Sequence, residues 1–185
     1  NKNILRKTNE PKDLKPKQKN SNKRKSISDK DKLFWYLYIF ENGEQQYDLL
    51  GRNKYSEEMK QKVQYIEEFK NSKQILKENK LKFNDLQENL LYSKVNIETL
   101  FAITLIKKIN FIYYTDNIFF MNKKYENKNS LIINHDKTNN FFYREENVED
   151  IEKLTKNKLV ITNLKKPLKS LSAYKIAELH NICNI

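Results

Sequence analysis

The stretch DKLFWYLYIFENGEQQYDLLG, Asp31–Gly51, separates a polar N-terminal segment from an apolar body. Its run LFWYLYIF, residues 33–40, is continuously apolar and rich in aromatic side chains, which is typical of a buried strand. Asn42-Gly43 follows as a strong tight-turn signal, and QQYDLL then fits a return strand. The pattern predicts a hairpin that starts the core. A buried helix is the alternative, because periodicity cannot distinguish the two in a fully apolar run.

Residues 1–30 carry most of the charge of the chain. They hold eleven Lys and Arg against three Asp and Glu, a net charge of +8 out of +12 for all 185 residues. Such a polar segment buries too little apolar surface to offset chain entropy, so we predict a disordered basic tail. Lys23, Arg24 and Lys25 form a cluster suited to phosphate binding or nuclear import. A merely solubilising tail is the alternative.

Several classes of protein are excluded by composition. The single cysteine rules out a disulfide within the chain, and no Cys/His cluster has zinc spacing. Two glycines cannot build a glycine-rich phosphate loop. No apolar run is long enough for a membrane span, and the N-terminus has no apolar signal core. We therefore expect an intracellular protein without metal or cofactor. Since the sequence opens with Asn, we also expect a fragment or a longer precursor.

The middle of the chain predicts three helices. Residues 56–80 are amphipathic, with Ser56 as cap and two acidic residues in the first turn. NDLQENLL predicts a short second helix capped by Asp85. NIETLFAITLIKKIN predicts a third helix capped by Asn96, which is apolar nearly all round and therefore buried at the centre. The apolar face of the first helix consists of Met59, Val63, Ile66 and Phe69.

Strand patterns follow the helices. FIYYTDNIFFM and SLIINHDKTNNFFYRE each predict two strands joined by a short connection, which together favour an antiparallel meander. A short helix through Val148, Ile151 and Leu154 and a last strand at LVIT come next. The expected fold is α+β, with the buried helix packed on the meander. We expect a tail over 1–30, a core domain over 31–164 and a C-terminal helix over 165–185.

His135 is the candidate catalytic residue, because it follows the strand LIIN at the edge of a turn. The order of buried helix, two strands and a strand-end histidine resembles the second half of papain-like cysteine peptidases, including the ovarian-tumour-type deubiquitinases. The resemblance implies a nucleophilic cysteine in the opening block, where this sequence has Trp35 and Tyr36. It therefore implies a degenerate peptidase domain that acts as a scaffold or interaction module. A solvated turn residue is the alternative for His135, and a small core residue is the expectation for Cys183.

The C-terminal segment LKSLSAYKIAELHNICNI, Leu168–Ile185, predicts a helix capped by Ser170 or Ser172. It resembles the first helix of SAP-type and Rho-N-terminal-type modules, which bind DNA or RNA. The positions that carry the resemblance are Leu171, Ile176, Ala177, Glu178, Leu179 and Ile182. Because the sequence stops before the second helix of such a module, we expect a truncated module or one completed elsewhere. A C-terminal helix docked on the core is the alternative.

The SAP-like resemblance implies phosphate contacts from lysines in and before this helix. Contacts of this kind provide affinity and salt dependence without reading the base sequence. The candidates are Lys165, Lys166, Lys169 and Lys175.

The whole chain resembles uncharacterised proteins of giant DNA viruses of the mimivirus kind, through its Lys-rich tail, LFW opening, YIEE helix and KPLKSLSAYK segment. This resemblance implies the host cytoplasm, a virus factory or the virion, with the nucleus as a further location. The sequence thus predicts a non-enzymatic basic protein that binds DNA or RNA in a sequence-independent way. The alternatives are the peptidase-like scaffold and a structural virion component that contacts other virion proteins.

Overall fold

The computed structural model describes residues 26–126, 129–138, 140–144, 154–168 and 170–183. The cluster Lys23–Lys25, Lys169 and most of the helix predicted through Val148 and Ile151 lie outside the described residues. Six helices come first: α1 (Lys32–Asn42), α2 (Glu44–Leu49), α3 (Lys54–Asn71), α4 (Lys73–Glu78), α5 (Phe83–Tyr92) and α6 (Ile97–Ile106). Five strands and a last helix follow: β1 (Asn110–Tyr114), β2 (Ile118–Asn122), β3 (Ser130–His135), β4 (Phe141–Arg144), β5 (Leu159–Ile161) and α7 (Ile176–Cys183). The predicted α+β class is confirmed.

The opening run is helix α1, so the predicted hairpin is wrong and the helical alternative is right. All seven residues of Leu33–Ile39 are buried, which explains why the run has no polar face. The carboxylate of Asp31 caps the helix by accepting the backbone N–H of Phe34 at 3.4 Å. Gly43 ends it with a positive φ of +85°, a backbone conformation that favours glycine, and helix α2 begins at the next residue. The tight-turn signal therefore marks a break between two helices.

Residues 26–30, predicted as the end of the tail, contact these helices. Ile27 packs against the core in a partly buried position. The carboxylate of Asp29 accepts a hydrogen bond from the hydroxyl of Tyr47 and forms an ion pair with Lys54 at 3.3 Å. This short segment therefore belongs to the folded part of the protein.

The helix predicted over 56–80 is two helices, α3 and α4, separated at Ser72. Ser56 is not its cap, because the helical turn begins at Lys54. The buried face is also shifted, since the side chain of Val63 is 52 % exposed. The buried positions follow the spacing of three, four and seven residues that a core-facing helix requires. They are Lys62, Tyr65, Ile66 and Phe69.

Helix α6 lies at the centre of the core, as predicted. Every residue from Thr99 to Leu105 is buried. The Asn96 side chain caps it by accepting the backbone N–H of Thr99 at 2.7 Å, which confirms the predicted cap. The cap predicted for α5 is wrong, because that helix begins at Phe83 and already contains Asp85.

The sheet contains both predicted strand pairs. Strands β1 and β2 are antiparallel, as are β3 and β4. The two hairpins meet through a parallel pairing of β1 with β3, and β5 pairs parallel to β2. The strand order β4-β3-β1-β2-β5 is therefore that of a mixed sheet, which corrects the antiparallel meander. The last predicted strand is confirmed as β5.

Alternating residues of the strands divide the sheet into two faces. One face packs against the helices in the main core, and the opposite face forms a smaller cluster with Leu154. The main-core face presents Phe111, Phe120, Leu131, Ile133, Tyr143 and Ile161. The opposite face presents Ile112, Tyr114, Phe119 and Ile132.

The C-terminal helix begins later than predicted. Helix α7 starts at Ile176, and a 3-10 turn occupies Leu171–Ala173, so neither Ser170 nor Ser172 caps the helix. The backbone N–H of Lys175 donates to the carboxylate of Glu178 at 2.8 Å, which satisfies a donor at the helix start. Cys183 is exposed, so its assignment as a core residue is wrong.

Candidate nucleic-acid interface

Four lysines surround one cleft of about 750 Å³. The fold brings the predicted pair Lys165 and Lys166 together with Lys80 and Lys82, which sequence reasoning missed. The remaining lining residues are Thr162, Asn163, Leu168 and Ser170. We refer to this site as the lysine cleft.

The connection between α4 and α5 positions Lys80 and Lys82. Helix α4 ends with two backbone bonds, Leu81 N–H to Leu76 O at 2.9 Å and Lys80 N–H to Lys77 O at 3.0 Å. Lys80 occupies the left-handed region, φ +58°. This conformation is common for the residue that follows a helix closed by such a pair of backbone hydrogen bonds. Leu81 is buried, while the lysines on either side of it are exposed. The anchored leucine therefore holds two lysines at the cleft.

The opposite wall is a turn stabilised by Asn163. Its side-chain Oδ1 accepts the backbone N–H groups of Lys165 at 2.8 Å and Lys166 at 3.0 Å. The Lys165 ammonium lies 3.2 Å from Asp85 and 3.4 Å from Glu98. These contacts join the turn to the first turns of α5 and α6.

The four lysines differ in charge environment. A hydrogen bond to Asp85 and the charge of Glu98 raise the pKa of Lys165, whose charge two carboxylates already balance. By contrast, Lys80, Lys82 and Lys166 are exposed and form no ion pair within the described part of the chain. Lysine is a compact point charge that binds phosphate without a fixed geometry. These three side chains therefore present the open positive charge of the lysine cleft.

The other predicted lysines lie elsewhere. Lys175 is exposed just before α7 and does not line the lysine cleft. Lys169 and the cluster Lys23–Lys25 lie outside the described residues. The lysine cleft thus contains two lysines that the sequence predicts and two that it does not. The added pair comes from the connection between α4 and α5, where Lys80 and not a glycine occupies the left-handed position, so the sequence gives no signal for a helix end there.

His135 lies at the end of β3 with its ring stacked on Phe141, the ring centroids 4.3 Å apart. Its Nδ1 is 3.1 Å from the hydroxyl of Tyr113. The hydroxyl of Tyr36 on α1 donates to the carbonyl of Phe141 at 2.8 Å. Helix α1 therefore contacts the strand pair that carries His135 through Tyr36, one of the two residues at which the expected peptidase resemblance implies a cysteine.

The described residues contain no group of three His, Cys, Asp or Glu side chains placed to hold a metal ion. None of the helices within those ranges combines the length and the apolar character that crossing a membrane requires.

Comparison with known proteins identifies no relative: no family model, no curated protein and no solved structure matches the chain.

Proposed function

We propose that the protein binds nucleic acid through the phosphate backbone, in a sequence-independent and non-enzymatic way. The observation that carries this proposal is the lysine cleft, where residues about 80 positions apart in the chain converge on one concave surface. The formal net charge of +12 supports the same class of ligand.

The physical basis is counterion release. Each phosphate that a lysine neutralises frees condensed cations, so the logarithm of affinity falls linearly with the logarithm of salt concentration. The slope changes by about 0.9 per phosphate contact on duplex DNA and about 0.7 on a single strand. Phosphate contacts carry no information about bases, which accounts for binding without sequence preference.

The test is the triple variant Lys80→Gln, Lys82→Gln and Lys166→Gln, compared with a triple Gln variant at three exposed lysines outside the lysine cleft. The control positions are Lys60, Lys70 and Lys108. We expect the cleft variant to reduce the salt slope by about two units on mixed-sequence oligonucleotides, and the control to change it by less than one. Both variants remove the same formal charge, so equal losses would contradict a specific role for the cleft.

The N-terminal cluster supplies a second part of the proposal. We expect the triple variant Lys23→Gln, Arg24→Gln and Lys25→Gln to lower the affinity for nucleic acid and the salt slope. These losses should add to those of the cleft variant. The substitutions are made in the full chain, which leaves the docked segment 26–30 intact. Filter binding or fluorescence anisotropy at several salt concentrations measures both quantities. An unchanged slope would restrict the binding surface to the folded domain.

A further inference from the structure

The lysine cleft adjoins a second, smaller cavity of about 230 Å³. The two share Lys80, Thr162, Asn163 and Lys165 in their walls. A ligand that lies along the lysines is therefore adjacent to this cavity. We refer to it as the side pocket.

The floor of the side pocket is apolar. It is formed by Phe101 and Phe120, whose rings meet edge to face with centroids 5.1 Å apart, together with Leu81 and Leu164. Phe101 comes from the buried helix α6 and Phe120 from strand β2. Because both rings belong to rigid core elements, the floor is preformed rather than assembled around a ligand.

The rim of the side pocket is polar. Asn79 uses its Nδ2 to donate to the carbonyl of Ile75 at 2.8 Å, and within the described ranges its Oδ1 acceptor has no partner. Asn163 uses its Oδ1 for the turn, and its Nδ2 donor has no partner among those same residues. The exposed hydroxyl of Thr162 both donates and accepts. Two carboxylates, those of Glu78 and Glu98, and two lysines complete the lining of the side pocket. The rim thus offers donors and acceptors above an apolar floor.

We propose that the side pocket holds one unpaired nucleobase, and hence that the ligand of the lysine cleft is single-stranded nucleic acid. A base has apolar faces and a polar edge, which matches an apolar floor below a hydrogen-bonding rim. A cavity of about 230 Å³ is smaller than those that hold drug-sized ligands and suits one ring system. The inference rests on the proposed function, since the adjacent lysines hold the phosphates on either side of the base.

The positive charge of the adjoining lysine cleft favours this occupant over an apolar side chain of a partner protein. Three lysines without ion pairs among the described residues stand beside the side pocket: Lys80, Lys82 and Lys166. A paired base in a duplex has its polar edge occupied and its faces stacked, so it cannot enter without being extruded. The side pocket therefore selects single strands, while the lysines alone bind any phosphodiester backbone.

The experiment compares three oligonucleotides of about twelve nucleotides, a length within the site sizes of single-strand binding folds. They are a mixed-sequence single strand, a strand of the same length with abasic tetrahydrofuran residues, and the corresponding duplex. We expect the native strand to bind at least about fivefold more tightly than the abasic strand, because a base in an aromatic-floored site adds affinity of this order. The salt slopes of the two strands stay equal, since their phosphates are the same.

A pocket-blocking variant gives a second readout. Thr162→Phe places a ring at the rim of the side pocket, and Val160→Phe is the matched control at a 61 % exposed position outside it. We expect Thr162→Phe to remove the preference for the native over the abasic strand and Val160→Phe to keep that preference.

The outcomes separate this inference from the proposed function. Equal binding of native and abasic strands by the native protein overturns the side pocket as a base site and leaves the lysine cleft intact. A preference that persists in Thr162→Phe also overturns it. If no strand responds to loss of Lys80, Lys82 and Lys166, the lysine cleft itself fails as the binding surface.

Discussion

Two lysines of this protein each hold two carboxylates, one in the core and one on the surface. The Lys62 ammonium lies 2.8 Å from Asp31 and 2.7 Å from Glu58, and the residue is only 4 % exposed. The Lys165 ammonium lies 3.2 Å and 3.4 Å from its two carboxylates, and its side chain is 48 % exposed. The same three-charge arrangement therefore occurs in two dielectric environments.

Burial gives the two arrangements different roles. The Asp31 carboxylate also accepts the backbone N–H groups of Val95 at 2.9 Å and Phe34 at 3.4 Å, so that it links α1, α3 and the approach to α6. Removing such charges from water costs free energy. The attraction between the charges and their hydrogen bonds offset this cost only while every partner is present. The exposed arrangement of Lys165 competes with water and adds little to stability. The buried triad therefore holds the fold together, whereas in the exposed triad two carboxylates balance the charge of one lysine of the lysine cleft.

The largest effect is expected from Lys62→Met, which keeps the aliphatic stem and removes the ammonium. It leaves the buried Asp31 carboxylate without its cation, and loss of one member of a buried ionic network costs about 3–5 kcal/mol. Urea unfolding measures the free energy of unfolding. The control is Lys60→Met on the exposed side of the same helix, for which we expect a change within about 0.5 kcal/mol. Equal losses in the two variants would remove the distinction between buried and exposed lysines.

A second prediction concerns alkaline pH. Burial, reinforced by the charge of Glu41, raises the pKa of Tyr65 far above its usual range. Burial alone would lower the pKa of Lys62, but the hydrogen bonds that its ammonium donates to Asp31 and Glu58 outweigh burial and raise that pKa. For each group the folded-state pKa exceeds the unfolded value, so its stabilising contribution is complete below about pH 10 and is lost as the pH rises above that value.

The variant Tyr65→Phe isolates one of these groups. The native protein is expected to lose up to about 1.4 kcal/mol per pH unit for each such group above about pH 10. Tyr65→Phe removes one titrating hydroxyl and its 3.3 Å hydrogen bond to Glu41, so its stability falls less steeply with pH. Urea midpoints between about pH 9 and pH 11 give both slopes. Parallel slopes would show that Tyr65 does not titrate differently in the folded and unfolded chains.

The sequence predicts those elements whose signals are local. The cap Asn96, the buried helix α6 and the two hairpin turns each depend on neighbours within a few residues. The hairpin assigned to the opening run fails because a segment buried on all sides shows neither a period of two nor one of 3.6. The parallel pairing of β1 with β3 brings together strands that do not follow one another directly, and no local pattern specifies it.

The residues of the candidate site were also predicted only in part, because local patterns do not specify tertiary contacts. Lys165 and Lys166 were predicted from a C-terminal motif, but their neighbours Lys80 and Lys82 come from the end of a different helix. The burial of Lys62 was also missed, because its partner Asp31 lies 31 positions away and the helix pattern treats lysine as solvated. Sets of charges assembled by tertiary contacts carry no signature in sequence spacing.

The smallest effect is expected from Lys165→Met. Because its bridge is exposed, the shift in the urea midpoint should be roughly a fifth or less of that for Lys62→Met. Binding should respond weakly as well. Lys165 already has two carboxylates as counterions, so its loss should change the salt slope on a single strand by less than the value of about 0.7 expected for Lys166→Met. Salt titrations of the two variants on one oligonucleotide measure the difference. A slope change for Lys165→Met as large as that for Lys166→Met would mean that phosphate displaces Asp85 and Glu98, and that the exposed triad opens when the ligand binds.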